Sequence, residues 1–218
     1  QPLALMQEIR EWFDGLVALS GSIAHGRSIL GAQALGADFA YIGSPWIAAT
    51  EANADDGYKQ AIVEGRAEGI VYTNLFTGVH GNYLRSSIVG AGLDPDNLPE
   101  SDPSKMNFGS GGNSKAKAWK DIWGSGQGVG AVKNVATVAE MVDRLEREYK
   151  EAKAALERRY IIAELYRSGG NITRAAEALG IHRPQLSNLL KRHEIRKEDF
   201  EADSPKNHGS GAKRRELP

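Results

Sequence analysis

Two short turns of glycine and serine, each following an apolar run, restrict the fold of this chain more than any other feature. Residues 19–26 read LSGSIAHG, and residues 37–44 read ADFAYIGS. An amphipathic stretch at residues 27–35 lies between the two turns, so the order is strand, helix, strand. This order predicts a βα unit that is repeated in a parallel sheet.

The small residues in these turns also indicate a binding site. Beyond the carboxyl end of a strand, they let backbone N–H groups approach an anion closely, and the positive end of the following helix points to the same place. Two such turns side by side predict a phosphate cradle, which in (β/α)₈ barrels lies after strands seven and eight. On these residues alone, an alternative stays open in which the glycines only tighten turns.

Composition excludes several classes of protein. The chain has 218 residues, 41% of them hydrophobic and 25% charged, as is ordinary for a soluble globular protein. No apolar run approaches the ~20 residues of a membrane span, and no leader segment precedes the first helix. Because the chain has no cysteine, we expect a cytoplasmic protein without disulfides, and we predict no metal site. The chain begins at Gln1, which predicts a fragment, a processed product or an incomplete reading frame.

The charge is distributed unevenly along the chain. Residues 1–150 hold 13 Lys and Arg against 18 Asp and Glu, whereas residues 151–218 hold 14 against 10. The net charge is therefore −5 followed by +4, which sums to the −1 of the whole chain. This asymmetry favours a polyanionic partner for the C-terminal part.

Helix signals appear on both sides of a long irregular stretch. Residues 2–13 and 50–65 are predicted helices, and residues 69–130 are rich in Gly, Pro, Asn and Ser, which is typical of a long loop that covers a site. Residues 137–140 read TVAE and fit a capping box at a helix start. One continuous helix of ~45 Å is predicted from there, with two helices that abut near Ala154 as the alternative.

Two further segments are long and distinctive. Residues 72–85 read YTNLFTGVHGNYLR, and residues 122–130 read IWGSGQGVG. Together with the two glycine turns, and in this order, they closely resemble the C-terminal half of the nitronate monooxygenase family, formerly called 2-nitropropane dioxygenases. Members of that family are FMN-dependent TIM barrels that oxidise alkyl nitronates with oxygen. The resemblance covers roughly residues 2–150.

The resemblance implies a set of FMN-binding residues at the phosphate cradle. In the order of the chain they are Ser20, Gly21, Ser22, Gly43 and Ser44, with Gly126, Gln127 and Gly128 as secondary candidates. The segment Pro45-Trp46 departs from the arginine and phenylalanine that are more usual after the strand-eight glycine. That departure puts side-chain help with the phosphate in doubt, but not the backbone contacts.

No catalytic residue is identified. The catalytic histidine of the family comes from a loop of the preceding half-barrel, which this sequence does not contain. His80 is a minor candidate for the catalytic residue. It lies in a segment that could line the cavity, but a lone loop histidine is more often solvated than catalytic, and His25 is not proposed for the same reason. Two strands cannot close an eight-stranded barrel, and their flanks would expose unpaired edges and apolar faces. We therefore expect this chain alone to bind FMN weakly or not at all.

The C-terminal part has a different pattern. Residues 169–186 read GGNITRAAEALGIHRPQL, in which Asn171 can cap a short helix, Gly180 can form a tight turn, and a second helix can begin near His182. This arrangement predicts a helix-turn-helix. Over roughly residues 155–197 the sequence resembles the Fis-type DNA-binding module of bacterial enhancer-binding regulators. A small helical domain with a solvated charged face is the alternative.

By analogy with such modules, the second helix enters the major groove of double-stranded DNA. Arg183 could then read guanine, and either Gln185 or Asn188 could read adenine. His182 and Ser187 face outward beside them, whereas Arg174, Lys191 and Arg192 are assigned to phosphates. Modules of this kind usually bind as dimers, so a homodimer is expected.

The sequence therefore predicts an α/β part followed by an all-α part. Residues 1–150 are assigned to a partial FMN-binding (β/α)₈ TIM barrel, residues 151–197 to the helix-turn-helix, and residues 198–218 to a disordered tail. The predicted function is an FMN oxidoreductase fragment of the nitronate monooxygenase type that carries a DNA-binding module. Three alternatives stay open: a DNA-binding regulator on a non-catalytic remnant, a relative of flavin-dependent enoyl reductases, and a join near residues 150–157 made by a frameshift or assembly error.

Overall fold

The computed structural model describes residues 2–101 and 121–200, and the chain divides into two compact units, Gln1–Ala152 and Lys153–Pro218. None of the helices in the described ranges could serve as a membrane span, since each is too short or too polar. Most of the predicted tail, residues 201–218, lies outside the described residues. At its start, Phe200 packs against the core of the second unit.

The first unit begins with a strand, helix and strand whose two strands are parallel. Leu19 pairs with Ala40 in the register, so the predicted order and the predicted parallel pairing are confirmed. The helix between the strands buries Ala32, which packs with Met6, Ile23 and Ala37. In chain order the elements are α1 (Pro2–Arg10), β1 (Ala18–Ser20), α2 (Gly26–Ala34) and β2 (Phe39–Tyr41).

The strand pair β1–β2 is open at both edges. Among the described residues the strands form two separate two-stranded sheets, so these residues do not close a barrel. Large apolar side chains around the pair are exposed, namely Leu16 (74%), Phe39 (59%) and Tyr41 (66%). Parallel strands are nearly always buried on both faces, so this exposure is the one expected of a sheet that lacks its neighbours.

The middle of the first unit is more regular than the sequence indicates. The prediction of a long irregular stretch from residue 69 is wrong for residues 70–90, because β-branched and aromatic residues there pair in an antiparallel hairpin that a short helix follows. The rest of that stretch falls partly on residues 102–120, which lie outside the described residues. The elements are α3 (Asp56–Glu64), β3 (Ile70–Thr73), β4 (Gly81–Leu84) and α4 (Arg85–Gly90), with 3₁₀ turns at Ser44–Ala48 and Ala67–Gly69.

One core joins these elements to the glycine-rich segment near residue 126. A 3₁₀ turn at Gln127–Ala131 follows that segment and buries Val129 completely. Val129 packs with Ile62 of α3 and Leu84 of β4, so the segment is held against the rest of the unit by apolar contact.

Helix α5 (Val138–Arg167) is continuous over 30 residues, and the alternative of two helices meeting near Ala154 is wrong. The capping box at its start is confirmed. The backbone N–H of Thr137 donates to Glu140 Oε2 over 2.8 Å, and the backbone N–H of Glu140 donates to Thr137 Oγ1 over 3.2 Å. Glu51 adds a second cap, because the backbone N–H of Val138 donates to its carboxylate over 3.0 Å.

The second unit is a small helical cluster. Within the described residues, its core has six buried members, in chain order Ile161, Leu165, Ala175, Ala176, Leu186 and Ile195. Helix α6 (Ile172–Ala178) begins after Asn171, whose side chain accepts the backbone N–H of Arg174 over 3.1 Å. Gly180 has a φ of 67° in the turn that follows, a conformation that favours glycine. Helix α7 (Arg183–Arg192) then completes the predicted helix-turn-helix.

We expect the stability of the first unit to fall in acid because of the carboxylates at the start of α5. The hydroxyl of Thr50, followed by the backbone N–H groups of Glu51 and Val138, lowers the pKa of Glu51 below its ordinary value of 4.5. The backbone N–H and the hydroxyl of Thr137 lower the pKa of Glu140 in the same way. Each carboxylate therefore stabilises the fold above pH 4.5, and this contribution is lost as the pH falls through its folded-state pKa.

Thermal unfolding between about pH 3 and 7 checks this expectation. The Tm should be steady at the upper end of the range and fall below pH 4.5. Glu51→Gln should lower the Tm at neutral pH and make the acid decline shallower. Glu68→Gln is the control, because the Glu68 side chain is exposed and has no hydrogen bond or ion pair among the described residues. If the Tm depends on pH in the same way in the wild type and in Glu51→Gln, the Glu51 carboxylate does not contribute to the acid sensitivity.

Candidate functional site

The loop after β1 has an unusual backbone conformation. Gly21 has a φ of 111°, and Ser22 follows it with a φ of 57°, in the left-handed region that side chains other than glycine rarely adopt. Among the described residues, Glu194 is the one other non-glycine residue with a positive φ. Such strain persists where surrounding structure holds it and is common at binding sites.

The predicted cradle residues come together around one small pocket. Loops after the carboxyl ends of parallel strands meet at the same edge of a sheet, and here the loops after β1 and β2 do so. The pocket has a volume of about 130 Å³. Its lining includes seven of the eight predicted cofactor-binding residues, namely Ser20, Gly21, Ser22, Gly43, Ser44, Gly126 and Gly128. The eighth, Gln127, is exposed and does not line it.

The glycine-rich segment reaches the pocket because it has no side chains at two positions. The backbone N–H of Gly126 donates to Ser44 Oγ over 2.7 Å. At Gly128, a Cβ atom would lie 2.7 Å from the carbonyl oxygen of Ser22, closer than real Cβ contacts come. Gly128 therefore allows a close approach of the two backbones, and Gly126 a close approach to the Ser44 side chain.

Aromatic residues hold the start of the same segment. The rings of Tyr58 and Trp123 stack with centroids 5.2 Å apart, and the Tyr58 hydroxyl donates to the carbonyl of Gly124. Burial raises the pKa of that hydroxyl. The hydroxyl therefore stays protonated near neutral pH and can keep donating this hydrogen bond.

The groups in the pocket lining that could contact an anion are all neutral. Its lining residues include no charged side chain, and one of them is Pro45, which has no backbone N–H. Its polar groups include backbone amides and the hydroxyls of Ser20, Ser22, Ser44 and Tyr41. Sequence reasoning did not name Tyr41, Ile23 or Ala24, which also line the pocket, because strand-end and apolar residues carry no binding motif.

The positive end of α2 is already occupied by a group of the protein itself. The backbone N–H of Gly26 donates to Glu148 Oε2 of α5 over 2.9 Å. The His25 side chain accepts the backbone N–H of Arg27 over 3.0 Å, which makes it the helix N-cap. The Gly26 amide is therefore already bonded, and the expectation that this helix end points to the ligand does not hold for it. Its partner carboxylate comes from a residue 122 positions away.

The remaining site predictions for the first unit concern His80 and metals. His80 is exposed and does not line the pocket, and its ring stacks on Tyr72 with the centroids 4.9 Å apart. In the parts of the chain that the structure describes, no group of three or more His, Cys, Asp or Glu side chains could hold a metal ion.

The second unit presents the predicted DNA-contacting residues on α6 and α7. Ser187 is half-buried, and the other seven are exposed, namely Arg174, His182, Arg183, Gln185, Asn188, Lys191 and Arg192. Leu186 is fully buried on the opposite side of α7, where it anchors the helix to the core.

The cations of α6 and α7 have no ionic partner among the described residues of the second unit. Within residues 153–200, the side chains of Arg174, Arg183, Lys191 and Arg192 form no hydrogen bond or ion pair. Of the cations outside α6 and α7, Arg158 pairs with Asp199 at 2.9 Å, Arg167 with Glu164 at 3.0 Å and Arg196 with Glu198 at 3.4 Å, whereas Lys153 and Arg159 also have no partner within these residues. Within the described residues, nothing occupies the cations of the helix-turn-helix, and they could bind an external anion.

Comparisons with known proteins agree with both resemblances. Residues 154–193 match the family model described as "Bacterial regulatory protein, Fis family". A nitronate monooxygenase from Paraburkholderia phytofirmans is 31% identical over 142 residues, which is 62% of this chain and 38% of that protein. The resemblance to the nitronate monooxygenases and to the Fis-type module is therefore confirmed.

Two solved structures are also similar to this chain. Nitroalkane oxidase from Streptomyces ansochromogenes matches with a TM-score of 0.55 and 26% identity, over 71% of this chain and 45% of that one. FabK from Thermotoga maritima matches with a TM-score of 0.51 and 20% identity, over 72% of this chain and 51% of that one, and this likeness concerns the fold alone. The chain thus spans about half or less of the length of these relatives.

Proposed function

We propose that this chain joins part of an FMN-dependent oxidoreductase barrel of the nitronate monooxygenase type to a module that binds double-stranded DNA. The observation that carries most of this proposal is the set of exposed cations on α6 and α7 that have no partner within residues 153–200, in the segment that matches the Fis family. Exposed Lys and Arg side chains are the groups that bind a phosphate backbone.

Base contacts and phosphate contacts are assigned to different residues of this module. Arg183, in the first turn of α7, is placed where such helices reach base edges, and it would read guanine. Arg174, Lys191 and Arg192 would hold phosphates and so position the module. We also propose that it binds as a homodimer, as such modules do, and that the protein works in the cytoplasm with access to DNA.

Substitutions at Arg183 and Lys191 separate these two roles. Arg183→Ala should reduce the binding free energy for the preferred duplex by about 1–3 kcal/mol and weaken the sequence preference at one base pair. Lys191→Ala should weaken binding to all duplexes by a similar factor and reduce the slope of log K against log salt by about 1. Salt-dependent gel shifts on selected and random duplexes measure both effects. Equal losses on every duplex for Arg183→Ala would remove the base-reading role.

The pocket of the first unit fits the phosphate end of FMN. Its backbone amides and three serine hydroxyls suit a phosphate, and Gly128 gives the close approach that such a cradle needs. Its volume of about 130 Å³ is below the ~300–1,000 Å³ of sites that enclose a whole small molecule. When bound in the complete barrel, FMN would take electrons from an alkyl nitronate and pass them to oxygen. In this chain, the residues would orient the phosphate.

Because the pocket has the size of a phosphate group rather than of a whole flavin, we expect FMN to bind this chain weakly. Fluorescence titration should show weak binding of FMN and still weaker binding of riboflavin, which lacks the phosphate. Gly128→Ala should abolish the difference between the two, because its Cβ atom would displace the backbone of Ser22. Flavin absorbance retained through gel filtration would contradict weak binding, and equal binding of FMN and riboflavin would contradict the phosphate cradle.

A further inference from the structure

The side chain of Gln185 folds back onto the start of α7. Its Oε1 atom accepts a hydrogen bond from the backbone N–H of His182 over 2.9 Å. His182 is the N-cap of the helix and Gln185 is its third residue, so this bond is one half of a capping box. Pro184, between them, has no N–H to donate.

This bond matters for the choice between two residues that could read adenine. Gln185 and Asn188 are three residues apart, so both lie on the same exposed stripe of α7. A Gln or Asn side chain reads adenine with both amide atoms, since the oxygen accepts from N6 and the nitrogen donates to N7. To present both atoms to a base, Gln185 would have to turn its amide away from the helix start. The Asn188 side chain is exposed and has no hydrogen bond within the described part of the second unit.

We infer that Gln185 is a positioning residue that fixes the N-terminus of α7, and that Asn188 is the residue that reads adenine. The role of Asn188 rests on the proposed DNA-binding function, whereas the role of Gln185 does not. In this assignment, Gln185 acts on DNA recognition through the backbone of His182, which directly precedes Arg183.

The capping role can be tested on the free protein by amide hydrogen exchange, measured by NMR on the full chain. Gln185→Ala should make the His182 amide exchange about fivefold faster, the factor expected from the loss of one hydrogen bond of about 1 kcal/mol. Gln185→Glu should keep exchange near the wild-type rate, because a carboxylate oxygen accepts the same bond and is favoured near a helix N-terminus. An unchanged exchange rate in Gln185→Ala would overturn the capping role.

The reading role is tested by selecting duplexes from a random library with the wild type, Gln185→Ala and Asn188→Ala. Gln185→Ala should weaken binding to all duplexes by one common factor and leave the preferred sequence unchanged. Asn188→Ala should lose the preference for adenine at one position, by about 5- to 100-fold. The opposite result, with the adenine preference lost in Gln185→Ala and kept in Asn188→Ala, would overturn the inference. If the wild type selects no duplex, the proposed DNA binding fails, while hydrogen exchange still decides the role of Gln185.

Discussion

Leu186→Ala is expected to unfold the helix-turn-helix and so abolish DNA binding by the chain. The Leu186 side chain is fully buried in a small core, to which the described residues contribute six buried side chains. Truncation of a buried leucine costs about 2–5 kcal/mol, which includes the cavity that is left behind. The total stability of a whole domain is about 5–15 kcal/mol, and small units lie at the low end because they bury less surface.

Circular dichroism and gel shifts on the same preparations check this result. Leu186→Ala should lose helical signal at a lower temperature than the wild type and bind duplex DNA much more weakly. Leu156→Ala is a matched control, because Leu156 belongs to the same unit but its side chain is 57% exposed. If Leu186→Ala melts as the wild type does, Leu186 does not anchor α7 to the core.

Gly26→Ala is expected to give the largest loss of stability in the first unit. A Cβ atom at Gly26 would lie 2.2 Å from the backbone nitrogen of Tyr149 and 2.6 Å from the carbonyl carbon of Glu148. Backbone atoms cannot turn aside as a side chain does, so α5 would have to move away from α2. The hydrogen bond from the Gly26 N–H to Glu148 would be weakened as well. Overpacking of this kind costs about 1–3 kcal/mol and in some cases more.

Gly31→Ala provides a control within the same helix. A Cβ atom at Gly31 would have nothing within 4 Å, and the residue is exposed inside α2. This substitution should therefore stabilise the helix by about 0.5–1 kcal/mol, the difference in helix propensity between glycine and alanine. Urea unfolding followed by tryptophan fluorescence should show midpoints that shift in opposite directions for the two variants. Shifts of the same sign would show that helix propensity, rather than the close approach at Gly26, decides the outcome.

Sequence reasoning succeeded best where short-range patterns decide structure. The capping box at residues 137–140 and the helix-turn-helix depend on residues three or four positions apart, and in such cases residue type and spacing carry the physical cause. The hairpin β3–β4 was missed because glycine and asparagine in its loop outweighed the short alternating strands on either side. The carboxylate that caps α2 also gave no signal, because its partner residue is 122 positions away.

The sequence by itself determined the two glycine turns, the parallel strand pair and the helix-turn-helix, since each depends on local spacing and on backbone freedom at particular glycines. Tertiary structure alone decided which of the candidate groups meet. Gly126 is hydrogen-bonded to Ser44, 82 positions away, and Gly128 packs against the backbone of Ser22. Glu148 accepts the hydrogen bond of the Gly26 amide, which was expected to bind a ligand. These contacts depend on how distant elements pack, and that is settled by the burial of shared apolar surface rather than by any local motif.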